Sequence, residues 1–138
     1  MKIVVVGLGY VGLANAILLA ENNKVVAVDI SSDRVQKLND KLSPIEDLKI
    51  SEYLEERSLD LQAVTSLSEA IVGSDFVIIA TPTDYDDISN KFDTSSVESV
   101  IKSTIDLKPD TAIVIKSTVP IGFTDKMRST FNKKNIFF

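Results

Sequence analysis

The sequence predicts an α/β domain in which six parallel strands form a doubly wound sheet with helices on both faces. Its apolar runs are short, continuous and rich in β-branched residues, which is typical of strands covered on both faces. Helical patterns separate these runs, and glycine or proline marks many of the boundaries. Because a strand, a helix and a second parallel strand form one crossover unit, this alternation indicates a parallel sheet between two helical layers.

Six apolar runs are predicted to be strands, and six segments show helical patterns. The predicted strands cover residues 2–6, 24–29, 61–65, 76–80, 111–116 and 135–138. The predicted helices cover residues 11–21, 32–40, 45–57, 66–72, 94–107 and 124–132. Asp93 and Thr94 are both suited to capping the fifth helix. Pro44, Pro82 and Pro120 fall in loops, where a missing amide donor is harmless. We expect residues 1–138 to form one domain.

Composition excludes several classes of functional site. The chain has no cysteine and no histidine, so it cannot form a disulfide, a thiolate metal site, a thiol nucleophile or a histidine-based triad. It has 15 lysines and arginines against 20 aspartates and glutamates, which argues against a nucleic-acid surface. We therefore expect no metal and no nucleic acid among its ligands.

The first apolar run, residues 3–6, is far shorter than the ~20 residues that a membrane span needs. Gly7 and Gly9 interrupt it at once, and it has no features of a signal peptide. The lack of cysteine agrees with a reducing compartment. We expect a soluble, cytoplasmic domain that does not bind a membrane.

A glycine-rich loop, Gly7-Leu8-Gly9-Tyr10-Val11-Gly12, follows the first predicted strand and opens the first helix. Gly7 permits the tight turn, Gly9 lets the backbone approach a pyrophosphate, and Gly12 allows the helix to pack close to the strand. Glycines in such a place often serve only the turn, so the pattern alone is a weak signal. Its position between a strand and a helix favours the dinucleotide site of a Rossmann fold with strand order 3-2-1-4-5-6.

Asp29 ends the second predicted strand, 20 residues after Gly9. At this spacing an acid can accept hydrogen bonds from the ribose hydroxyls of a dinucleotide. Its charge would also repel a 2′-phosphate, so the sequence favours NAD over NADP. Arg34 tempers this preference, because an arginine there either accommodates such a phosphate or lies in solvent as an ordinary first-turn residue.

Two further segments follow the fourth and fifth predicted strands, where ligands of open α/β sheets bind. Residues 81–84 read Thr-Pro-Thr-Asp and residues 117–120 read Ser-Thr-Val-Pro. Thr83 is placed to hydrogen-bond the cofactor, and Thr118 to reach the nicotinamide side or a bound water. Threonine and proline are also ordinary loop formers, but the joint placement of both segments beside the glycine loop favours a functional role.

Charged residues beside these segments have simpler interpretations. Lys116 either pairs with a carboxylate or points to solvent, and we favour a structural role for it. The acidic run at residues 84–87 would suit a metal, yet consecutive acids in a flexible loop usually form a solvated face.

The most specific signal is the combination of several segments. The glycine loop with its Tyr-Val-Gly ending and Asp29 are joined by residues 80–86 (ATPTDYD), 90–100 (NKFDTSSVESV) and 116–124 (KSTVPIGFT). Together they resemble the UDP-glucose/GDP-mannose dehydrogenase family, and within it the bacterial UDP-glucose 6-dehydrogenases. The likeness covers essentially the whole chain.

The resemblance implies an enzyme that oxidises the C6 alcohol of UDP-glucose to the carboxylate of UDP-glucuronate, through two hydride transfers to NAD. The product is a precursor of capsule and envelope polysaccharides. In the family, a threonine matching Thr118 lies at the reaction centre and helps to hold a catalytic water. The residues that match cofactor-binding positions are Gly7, Gly9, Tyr10, Val11, Gly12, Asp29, Arg34, Thr83 and Thr118.

The chain lacks several parts of the family pattern, including a segment of the Ser-Pro-Glu-Phe-Leu type and the Lys, Asn and Asp residues that lie downstream of it in the family. The family forms a thioester on a cysteine that lies well downstream, and this chain contains no cysteine. The resemblance therefore implies an amino-terminal piece that binds NAD without turnover, whose parent binds UDP-glucose with its carboxyl-terminal half and forms a homodimer. Two alternatives stay open: a related dehydrogenase acting on a UDP-N-acetylhexosamine or GDP-mannose, and a stand-alone NAD-binding module.

Overall fold

The computed structural model describes all 138 residues, as eight strands and six helices. In chain order these are β1 (Lys2–Val6), α1 (Tyr10–Ala20), β2 (Lys24–Val28), α2 (Ser32–Asn39), α3 (Leu48–Glu56), β3 (Leu61–Val64), α4 (Leu67–Ala70), β4 (Phe76–Ile79), β5 (Asp84–Asp86), β6 (Lys91–Asp93), α5 (Ser95–Leu107), β7 (Ala112–Ile115), α6 (Phe123–Phe131) and β8 (Ile136–Phe137). None of the helices combines the length and the apolar content that crossing a membrane requires.

Six strands form one parallel sheet in the order β3-β2-β1-β4-β7-β8. The central strand β1 pairs with β2 on one side and β4 on the other, so that Val4 lies between Val26 and Val77. With the hairpin strands β5 and β6 set aside, this is the order 3-2-1-4-5-6, and the predicted fold class is confirmed. The strand order reverses between β1 and β4, and such a switch point opens a crevice at the carboxyl edge.

Both faces of the sheet are buried, as the continuous apolar runs predict. On one face, Val4 of β1 belongs to a core shared with Ile101 of α5 and Met127 of α6. On the other face, Val5 packs with Ala16 of α1. The alternate side chains of β1 thus enter two different cores, which explains why its sequence shows no polar alternation.

Two helices are shorter than the periodicity predicts by three or more residues. The third begins at Leu48 rather than at residue 45, because the Asp47 side chain accepts a hydrogen bond from the Ile50 N–H at 2.9 Å and so caps the first turn there. The fourth covers only Leu67–Ala70, and the chain leaves it through Gly73, whose φ is +72°.

The acidic segment 84–87, expected to be a loop, instead begins an antiparallel hairpin of β5 and β6. Tyr85 and Phe92 stand opposite each other, with ring centroids 5.0 Å apart in an edge-to-face arrangement. The Ser89 hydroxyl donates to Asp86 at 2.6 Å, and this bond holds the pKa of the Asp86 carboxyl below its usual range. The loop prediction was wrong because an aromatic cross-strand pair outweighs the low strand propensity of aspartate.

Candidate cofactor site

The glycine loop joins β1 to α1 at the carboxyl edge of the sheet. Gly7 has a φ of +101°, and a Cβ there would lie 2.6 Å from the Ala80 carbonyl oxygen. A Cβ on Gly12 would lie 1.8 Å from the Gly7 carbonyl oxygen. Gly9 differs, because a Cβ there would meet nothing within 4 Å. Gly7 and Gly12 are therefore required by the loop itself, whereas the space above Gly9 is open to a ligand.

The first turn of α1 presents backbone donors to this space. The first bond of the helix runs from the Leu13 N–H to the Gly9 carbonyl at 2.9 Å. Gly9 is the N-cap of α1, and it has no side chain that could accept hydrogen bonds. The N–H groups of the first turn, including those of Tyr10 and Val11, therefore have no side-chain cap. With the positive end of the helix dipole, these groups suit a bound anion such as a pyrophosphate.

Asp29 follows β2 and joins it to the glycine loop. Its carboxylate is 8% exposed and accepts hydrogen bonds from the Leu8 N–H at 2.7 Å and the Ser31 N–H at 2.9 Å, one on each oxygen. A carboxylate offers about four acceptor positions, so each oxygen keeps one for a ribose hydroxyl. The Arg34 guanidinium lies 3.7 Å from the same carboxylate and is 43% exposed, so it flanks Asp29 rather than standing apart in solvent.

The Tyr10 side chain links the first turn of α1 to α3. Its hydroxyl donates to Asp47 at 2.7 Å, and this bond raises the pKa of Tyr10. The N–H of Ile50 and the Tyr10 hydroxyl together hold the pKa of Asp47 below its usual range. The Tyr10 side chain therefore attaches the first turn of α1 to the N-terminus of α3.

The loops after β4 and β7 meet at the same edge. The Thr83 hydroxyl donates to the Thr118 carbonyl oxygen at 2.6 Å, across 35 residues of sequence. The structure thus brings together the two threonines that the sequence singled out. Lys116 is exposed to solvent, which is the second of the two arrangements that the sequence analysis gave for it.

Sequence reasoning assigned no role to Ser96 and Ser117, which also belong to this edge. The Ser117 hydroxyl donates to the Thr81 carbonyl at 2.7 Å, and the Ser96 hydroxyl donates to the Pro82 carbonyl at 2.8 Å. No local sequence signal identifies these two serines, because each hydroxyl reaches a carbonyl group that lies 14 or 36 residues away in the chain.

These residues fit a dinucleotide. The space above Gly9, the backbone donors of α1 and the spare acceptor positions of Asp29 match a pyrophosphate and a ribose. The hydroxyl groups of Thr83 and Thr118 supply a second polar patch beside them. The carboxyl edge of the sheet therefore combines backbone donors, the Asp29 carboxylate and two threonine hydroxyl groups.

Comparisons with known proteins identify the family of the chain. The model of the UDP-glucose/GDP-mannose dehydrogenase family, NAD binding domain, matches residues 1–136. The chain is 46% identical to a UDP-glucose 6-dehydrogenase of Campylobacter jejuni, with all of this chain and 36% of that protein covered. It is 44% identical to a UDP-glucose 6-dehydrogenase of Streptococcus pneumoniae, with all of this chain and 35% of that protein covered.

A solved structure shows the same architecture. The UDP-D-ManNAc dehydrogenase of Pyrococcus horikoshii matches with a TM-score of 0.86 at 30% identity, over 99% of this chain and 34% of that one. The chain spans about a third of the length of the relatives it matches. Its site and its match over residues 1–136 establish that the chain belongs to the UDP-glucose/GDP-mannose dehydrogenase family, as the NAD-binding domain of that family.

Proposed function

We propose that residues 1–138 are the amino-terminal, NAD-binding domain of a longer bacterial UDP-glucose 6-dehydrogenase. The observation that carries this proposal is the open space above Gly9 beside the buried carboxylate of Asp29. The identities of 46% and 44% to two UDP-glucose 6-dehydrogenases, each over the whole of this chain, support the choice of enzyme.

Different residues of the chain bind different parts of the cofactor. The N–H groups of the glycine loop and of the first turn of α1, including Tyr10 and Val11, bind the pyrophosphate. Asp29 accepts from the adenosine ribose, with Arg34 beside it. Thr83 and Thr118 contact the nicotinamide half, on the other side of the switch point. When bound, NAD supplies the hydride acceptor for the oxidation.

Thr118 is the residue of this chain that we place at the reaction centre. Its carbonyl is held by Thr83, and its side chain is exposed at the carboxyl edge, where it can orient a water molecule. The chain has no cysteine, so no thioester can form on its own residues. We therefore expect these 138 residues to bind NAD without oxidising the sugar.

The substrate that we propose for the whole enzyme is UDP-glucose, bound with the help of the carboxyl-terminal half. A sugar nucleotide of the UDP-D-ManNAc type is the second candidate, because the Pyrococcus horikoshii dehydrogenase shares the fold at a TM-score of 0.86. We further propose that the enzyme is a homodimer and works in the cytoplasm, where NAD and nucleotide sugars occur together.

Two measurements test this proposal. Titration of the chain with NADH, followed by fluorescence, is expected to saturate, and NADPH is expected to bind at least about tenfold more weakly because Asp29 repels the 2′-phosphate. Equal affinity for both, or no binding, would contradict the cofactor assignment. For the substrate, the complete enzyme is assayed with UDP-glucose, UDP-N-acetylmannosamine and GDP-mannose. We expect the highest kcat/KM with UDP-glucose. A higher kcat/KM with either of the other two would contradict UDP-glucose as the substrate.

A further inference from the structure

The backbone ladder between β4 and β7 ends just before the cofactor edge. Its last paired residues are Ile79 and Ile115. The Ile79 carbonyl then accepts from two successive N–H groups, those of Lys116 at 2.7 Å and Ser117 at 3.1 Å. Beyond this point Pro82 has no N–H to donate, so the backbone cannot continue the ladder through it.

Side-chain hydroxyl groups replace the missing backbone bonds. Ser117 donates to the Thr81 carbonyl at 2.7 Å, and Thr83 donates to the Thr118 carbonyl at 2.6 Å. The two bonds run in opposite directions between segments that lie 36 and 35 residues apart in sequence. They extend the attachment of the two segments beyond the last paired residues, Ile79 and Ile115, as far as Thr83 and Thr118.

A third hydroxyl holds the same segment from the helical layer. Ser96, at the start of α5, lies 2.8 Å from the Pro82 carbonyl and 3.0 Å from the Thr81 hydroxyl. Ser96 therefore contacts the Pro82 carbonyl, while Ser117 contacts the Thr81 carbonyl. The segment 81–83 has no regular secondary structure, yet these hydrogen bonds attach it to β7 and α5 through the residues at their ends.

Ser117 is not suited to touching the cofactor itself. Ser117 is 6% exposed, and the one proton of its hydroxyl already has two acceptors within the domain, the Thr81 carbonyl at 2.7 Å and the Ile79 carbonyl at 3.5 Å. Its neighbours in the network, Thr83 and Thr118, are the residues that reach the edge. The role left to Ser117 is to set their positions.

We propose that Ser117 and Ser96 are positioning residues, which hold the segments 81–83 and 117–118 in register and so preorganise the nicotinamide half of the NAD site. This inference rests on the proposed function, since it concerns the same cofactor. An ordered segment loses less conformational freedom when a ligand binds, and loosening it lowers affinity for the part of the ligand that it contacts.

The test compares two ligands on the full 138-residue chain. NADH contacts both halves of the site, whereas ADP reaches only the glycine loop and Asp29. The variants are Ser117→Ala and Ser96→Ala, and the matched control is Ser99→Ala, a serine exposed on α5. We expect the Kd for NADH to rise about tenfold in Ser117→Ala and about threefold or more in Ser96→Ala, with the Kd for ADP unchanged within about twofold.

The possible results separate this inference from the proposed function. Unchanged NADH affinity in both variants would overturn the positioning role, and so would an equal loss of NADH and ADP affinity, because a general folding defect moves both ligands together. Failure of the unsubstituted chain to bind either NADH or ADP would instead overturn the proposed function. The inference is supported if Ser117→Ala and Ser96→Ala lose affinity for NADH but not for ADP, and if Ser99→Ala loses affinity for neither.

Discussion

Two glycines of the same loop, Gly9 and Gly12, differ in whether the fold leaves room for a side chain. At Gly12 there is no room for a Cβ, which would lie 1.8 Å from the Gly7 carbonyl oxygen, whereas at Gly9 there is room within the protein. The backbone at Gly9 has a φ of −73° and a ψ of −174°, which any residue can adopt. Folding therefore requires glycine at position 12, whereas at position 9 we propose that the bound pyrophosphate requires it.

Substitution by alanine separates these two needs. Gly12→Ala is expected to lower the free energy of unfolding by about 1–3 kcal/mol, because the backbone must shift to relieve the clash. Gly9→Ala is expected to leave the unfolding midpoint unchanged but to weaken NADH binding at least about tenfold, since the methyl group occupies the space for the pyrophosphate. Thermal unfolding and NADH titration of both variants check this. Full NADH affinity in Gly9→Ala would show that the ligand does not approach this glycine.

Asp29 has both a structural and a ligand-binding role in our account. The variant Asp29→Ala leaves the buried Leu8 N–H without its acceptor, so we expect a loss of about 1–3 kcal/mol in the free energy of unfolding together with much weaker NADH binding. Chemical denaturation and NADH titration measure the two effects. A stable variant with unchanged affinity would remove Asp29 from the site.

At the scale of the elements, the contact between α1 and α3 joins two titratable groups, Tyr10 and Asp47, so we expect its strength to depend on pH. The folded-state pKa of Asp47 is lowered, so its contribution to stability is complete above about pH 4 and is lost as the pH falls through the folded value. The folded-state pKa of Tyr10 is raised, so its contribution is complete below about pH 10 and is lost as the pH rises beyond that.

The matched variant for this contact is Asp47→Asn, which keeps a capping oxygen but has no charge to titrate. We expect the unfolding midpoint of the natural chain to exceed that of Asp47→Asn near neutral pH, and the difference to shrink as the pH falls below about 4. Thermal unfolding at a series of pH values measures this difference. A difference that stays constant through the acid range would mean that the Asp47 charge does not support the contact.

The hairpin depends on the pair formed by Tyr85 and Phe92, whose ring centroids are 5.0 Å apart. Phe92→Ala removes this pair, and we expect a local loss of about 0.5–1.5 kcal/mol that opens the hairpin but leaves the six-stranded sheet intact. Amide hydrogen exchange resolves the two regions. Slow exchange that persists in β5 and β6 of the variant would show that other contacts hold the hairpin.

The sheet strands were predictable because their signal is local. Continuous β-branched runs such as residues 2–6 identify strands buried on both faces, and the observed β1 ends at the predicted residue. The hairpin was not predictable in the same way. The hairpin depends on contact between Tyr85 and Phe92 across a turn in which Ser89 donates a hydrogen bond to Asp86. No run of apolar residues in the sequence predicts such a pair.

At the scale of the whole molecule, the parallel topology gathers distant segments at one edge. Every strand of the large sheet points the same way, so the loops after β1, β2, β4 and β7 end up together although they span most of the chain. The positions of Asp29, Thr83 and Thr118 could therefore be predicted from sequence once the strands were identified. The hydroxyl bonds of Ser96 and Ser117 could not, because they depend on where side chains meet after the loops have left the strands.

The measurement that tests the central claim most directly is an NMR titration of the 15N-labelled chain with NAD, observing every backbone amide. The account predicts saturable shifts at the carboxyl edge: in the glycine loop from Gly7 to Gly12, at Asp29, and around Thr83 and Thr118. It also predicts unshifted amides at the opposite edge, for example at Asn22 and Asp60. Shifts concentrated at that opposite edge, or no saturable shifts at all, would contradict the assignment of this chain's carboxyl edge as an NAD site.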